Sequence, residues 1–60
     1  MDVSIFEKDG SVWHHQGVAR VANASAKVAQ DRIFVWAIGQ PDKPIFSIPV
    51  EDVLAVDVRG

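Results

Sequence analysis

From Leu54 to Arg59 the chain alternates strictly. Leu54, Val56 and Val58 fall on one side of an extended segment, and Ala55, Asp57 and Arg59 on the other. A period of two with β-branched residues belongs to a half-buried strand, because successive strand side chains leave the backbone on opposite faces. Just before it, the apolar run Ile45 to Ile48 ends at Pro49. Pro49 to Val53 fits a short 3₁₀ turn with Glu51 and Asp52 towards water. These sixteen residues commit the chain to an all-β domain, and they name no activity.

The rest of the sequence reads the same way. Val3 and Ile5 mark a first strand, and Glu7-Lys8-Asp9-Gly10 a hairpin turn, since Asp and Gly tolerate positive φ. Ser11 to Ala22 reads as a second strand with a bulge or sharp bend at Gly17. Asn23-Ala24-Ser25 and Gln30-Asp31-Arg32 read as turns, with Ala26 and Val28 facing one way between them. Ile33 to Ile38 is apolar on both faces, the pattern of a strand covered on both sides. The loop 39–44 carries two prolines that resist sheet pairing. The competing reading is an alanine-rich helix over Val18 to Gln30, opposed by the β-branched Val18, Val21 and Val28 and by Asn23. The sequence therefore predicts one five- to six-stranded antiparallel barrel or strongly bent sheet, with a 3₁₀ turn near residues 50–53.

Sixty residues make one domain. A chain of that length buries only about 60% of its unfolded surface, so small domains lean on disulfides, metals or partner chains. There is no cysteine, which removes disulfides and thiolate zinc sites. A hydrophobic content of 48% points to the remaining device, association with another chain. The net charge of −2 lacks the basic surplus usual in nucleic-acid binders. No run approaches the roughly 20 apolar residues that span a bilayer, and the N-terminus lacks the layout of a signal peptide. A cytoplasmic protein without membrane insertion is expected, and the start at Met1 suits a whole small protein.

Residues 27 to 58 resemble one stretch of the bacterial PH-like and GRAM-type domains. That family places a strand, a short polar turn ending in a basic residue, an aromatic strand, a loop, and then Ile-Pro-Leu-x-Asp-Ile-x-x-Val. Here Lys27-Val28-Ala29, Gln30-Asp31-Arg32 and Ile33-Phe34-Val35-Trp36 match the first parts, and Ile48-Pro49-Val50-Glu51-Asp52-Val53-Leu54-Ala55-Val56 the last. The likeness covers about half the chain. Full domains of that family continue into further strands and a helix that plugs the barrel, whereas this chain stops at Gly60. The strand count suits an SH3-like barrel equally. Either resemblance implies a binding module and not a catalyst.

Constellations that could carry chemistry are sparse. His14 and His15 point to opposite faces of a strand, and a zinc site needs three or four ligands, so no metal or other cofactor is expected. Ser11, Ser25 and Ser47 sit in no nucleophile elbow. Glu51 and Asp52 read as solvated carboxylates, and glycines 10, 17, 39 and 60 are too scattered to cradle a phosphate. The chain is not expected to be an enzyme.

Binding is the remaining class. The segment 33–38 sets Ile33, Val35 and Ala37 on one face and Phe34, Trp36 and Ile38 on the other. A small barrel has one interior, so one face is core and the other an interface. Trp13, His15, Arg20, Arg32, Ile33, Val35 and Trp36 are the candidate contact residues. A protein partner is expected, most simply a second copy in a homo-oligomer. The alternative is a small-barrel nucleic-acid binder, with Trp13, Phe34 and Trp36 stacking and Arg20, Lys27 and Arg32 neutralising phosphates. Net charge disfavours that alternative. Phe34 and Trp36 share a face in the most apolar segment, which makes core the plainer reading for both.

Overall fold

The computed structural model describes residues 1–25 and 31–60, and these form an all-β domain of two three-stranded antiparallel sheets. The strands are β1 (Asp2–Glu7), β2 (Val12–His15), β3 (Val18–Ser25), β4 (Asp31–Ala37), β5 (Phe46–Pro49) and β6 (Val53–Arg59). A 3₁₀ turn, Val50–Asp52, joins β5 to β6. The first sheet has the order β2-β1-β6 and the second β3-β4-β5.

The first hairpin closes as Asp-Gly chemistry requires. Glu7 N–H donates to the Ser11 carbonyl at 2.8 Å and Gly10 N–H to the Glu7 carbonyl at 3.1 Å. Gly10 takes φ +96°, where a Cβ would be strained. The expected bend at Gly17 is sharper than a bulge. Gly17 adopts φ +65°, and the chain leaves the first sheet for the second there. The segment expected as one strand from Ser11 to Ala22 is therefore two strands in different sheets. A true bulge follows, between Val18 and Arg20. Met1 and Val18 exchange two hydrogen bonds of 2.9 Å, ammonium to carbonyl and amide to carbonyl, which pin the start of β1 to the start of β3.

Two expected turns are corrected. Asn23-Ala24-Ser25 continues β3, with Asn23 opposite Ile33 and Ser25 opposite Asp31. Asp31 and Arg32 begin β4. A ladder with β4 gives the inward-directed backbone groups of this stretch partners, and that outweighs the local turn preference of Asn and Ser. The same ladder rules out helix over Val18–Ser25. The expectations for Ala26, Lys27, Val28 and Gln30 lie outside the described residues.

The core sits between the sheets. Val3 and Ile5 of β1 meet Val18 of β3, Val35 of β4 and Ile48 of β5, with Met1, Val21, Ile33, Phe46 and Val53 packed around them. Register explains the membership. Val21 lies opposite Val35, and Ile33 opposite Ile48, so these four aliphatic side chains share one side of the second sheet. This settles which face of the 33–38 segment is interior. Val35 is 0% exposed and Ile33 packs on the core, while Phe34 and Trp36 stand on the far side of the sheet. Core placement for the two aromatics is thereby corrected.

Candidate functional site

Two surfaces remain after the core is filled. The first is the core-side face of β6. Val56 lies opposite Ile5 and Val58 opposite Val3 in the β1–β6 ladder, so all four point the same way. Ile5 and Val3 are buried, yet Val56 is 36% and Val58 51% exposed, and a register shift beyond Ala55 leaves Leu54 out of the ladder and sets Val53 opposite Glu7 and against the core. Val53 at the start of β6 packs on the core, and the later residues Val56 and Val58 stay partly uncovered. Among the described residues β6 pairs with β1 alone, which leaves its other edge open. An open edge beside an apolar face is a template for a further strand.

The second surface is the outward face of the second sheet. Arg20 lies opposite Trp36, Ala22 opposite Phe34, and Phe34 opposite Ser47. The Phe34 and Trp36 rings are 5.9 Å apart, and the Arg20 guanidinium carbon stands 3.8 Å from the centre of the Trp36 ring. That is a cation–π arrangement with one arginine as the cover of an indole. Arg32 shares the face and donates from Nε and Nη2 to Ser47 Oγ at 3.3 and 3.0 Å. These bonds hold the guanidinium near Phe34.

The remaining candidates divide between the sheets. Trp13 and His15 lie on the core side of β2, opposite Ile5 and Val3. Both reach across to Phe46 of β5, with ring centroids 5.4 and 4.8 Å apart. Trp13 Nε1–H donates to Glu7 Oε1 at 2.6 Å. This pair closes one flank of the interface between the sheets, and Trp13 remains 45% exposed there. Val35 and Ile33 line the interior, which removes them from the surface open to a partner. Arg20, Arg32 and Trp36 come together on one face, and Trp13 is not with them. Lys27 lies outside the described residues.

A contact that sequence reasoning missed is Ser4 Oγ with His14 Nδ1 at 2.7 Å, across the β1–β2 ladder. Asp57 stands opposite Ser4 on the other side but is engaged with Arg59 Nε at 2.9 Å. The carboxylate thus flanks the serine and not the histidine, so the three groups do not form a relay. Among the described residues no three His, Asp or Glu side chains gather to hold a metal. Nor does any described helix have the length and apolarity to cross a membrane.

Charge is divided unevenly along the sequence. Asp2, Glu7, Asp9, Glu51, Asp52 and Asp57, against Lys8 and Arg59, give residues 1–17 and 50–60 a net −4. Arg20, Lys27, Arg32 and Lys43, against Asp31 and Asp42, give residues 18–49 a net +2. The chain's overall −2 therefore hides a net basic middle stretch of sequence.

No family model matches this chain, and no curated protein or solved structure does. The functional reading accordingly stands on the two surfaces alone.

Proposed function

We propose that this chain is a non-catalytic protein–protein interaction module that self-associates and serves as a small accessory or adaptor protein. The uncovered core-side face of β6 carries this reading. A face continuous with buried Val3 and Ile5 is core that the fold leaves unfinished, and apolar surface of that kind marks an interface.

A second copy is the simplest occupant because β6 complements itself. Antiparallel pairing of two β6 strands about Val56 sets Val56 opposite its own counterpart, with Val58 of each copy on the same face. The result is a short apolar seam of Val56 and Val58 with two-fold symmetry. On the other side of the strand, Asp57 and Arg59 already neutralise each other within one chain, so neither needs an ion-pair partner across the seam.

Sedimentation velocity across a concentration series tests the reading. A species of twice the chain mass is expected at micromolar concentrations, and Val58→Lys should return it to one chain mass with its circular dichroism intact. A wild-type protein that stays at one chain mass into the high micromolar range overturns self-association.

A further inference from the structure

We infer that the outward face of β3-β4-β5 binds single-stranded nucleic acid. This goes beyond self-association and uses the opposite sheet, so either can fail without the other. The face joins the two elements that unpaired strands require, aromatic rings for bases and cations for phosphates. Phe34 and Trp36 present neighbouring rings 5.9 Å apart from a rigid central strand. Arg20 and Arg32 flank them, and the outward positions of β3, β4 and β5 carry no Asp or Glu. The acidic residues that dominate net charge are concentrated in the other half of the molecule.

The chemistry favours unpaired over paired strands. Stacking on Phe34 or Trp36 needs a base whose face is exposed, and a duplex hides its base faces. Arg20 occupies a stacking position over Trp36 at 3.8 Å. A base can lie on the outer side of that guanidinium plane, or replace it and release Arg20 to a phosphate. Arg32 is anchored to Ser47 and held beside Phe34. An acidic polypeptide would satisfy the two arginines but would leave both rings without a role.

Fluorescence anisotropy of a labelled oligothymidylate of about twelve nucleotides, in about 50 mM salt, is the test. Binding is expected, with weaker binding to a duplex of the same length. Two phosphate contacts predict a log–log salt slope of about −1.4, and Arg20→Ala should bring it to about −0.7. Trp36→Ala should weaken binding roughly 5- to 140-fold, the loss of one stacked base. Phe34→Ala supplies the same readout should Trp36→Ala fail to fold. No anisotropy change for the oligothymidylate overturns the proposal. So does equal affinity for polyglutamate with no effect of either aromatic substitution, which would mark the face as a site for acidic protein.

Discussion

Asp9 shows how much a single exposed side chain does in a fold this small. Its Oδ1 accepts a 2.8 Å hydrogen bond from the Ser11 amide, two residues on, and so holds the first hairpin turn shut. That bond holds the Asp9 carboxyl below the usual aspartate range, with further help from the Ser11 hydroxyl. A carboxylate whose pKa falls on folding stabilises the protein above its ordinary pKa, and the gain disappears as pH falls through the lowered folded value. Asn accepts the same bond without titrating. Between about pH 5 and pH 3, Asp9→Asn should therefore lose less stability than the wild type, measured as the urea midpoint. Asp9→Ala should be weaker at every pH. Identical acid losses in wild type and Asp9→Asn would contradict this role for the turn.

Gly17 is the corresponding point among the elements, because the path from β2 to β3 turns on its φ of +65°. No heavy atom lies within 4 Å of where a Cβ would stand, so only the backbone resists substitution. Gly17→Ala should cost about 1–2 kcal/mol in chemical denaturation without a change of fold. A neutral effect would mean that the chain can turn there with ordinary dihedrals. The elements also show what the sequence could convey. Alternation located β6, the Asp-Gly turn located the first hairpin, and the Pro49 step located the 3₁₀ turn. Asn23 and Ser25 misled because turn preference is local, whereas the partner that keeps them extended lies across the ladder at Ile33 and Asp31. The two apolar faces of β4 posed a question that composition could not answer. Aliphatic neighbours at Val21 and Ile48 draw Ile33 and Val35 inward, and those neighbours are fixed by register. Val56 and Val58 were legible as one face, but strict alternation did not reveal the register shift that leaves Leu54 out of the ladder and turns Val53 to the core.

At the scale of the whole molecule the deciding quantity is a thin margin. Natural domains hold about 0.05–0.15 kcal/mol per residue, so sixty residues imply about 3–9 kcal/mol. Among the described residues five buried side chains form the core, and Ile5 is completely enclosed among them. Ile5→Ala should cost about 2–5 kcal/mol, enough to leave much of the protein unfolded at room temperature, as near-ultraviolet circular dichroism would register. The uncovered face of β6 bears on the same margin. If two copies bury Val56 and Val58 against each other, unfolding is linked to dissociation, and stability rises with concentration by mass action. Each tenfold increase adds about 1.4 kcal/mol per dimer, which for two chains of this length raises Tm by roughly 5 °C. Calorimetric scans from low to high micromolar should show that shift in the wild type and lose it in Val58→Lys. Val58 is half exposed, so a lysine there can reach water in the single chain and is penalised only when a second copy covers it. A Tm that ignores concentration in both proteins would mean that this fold tolerates an uncovered β6, with β1 and the second sheet supplying all of its stability.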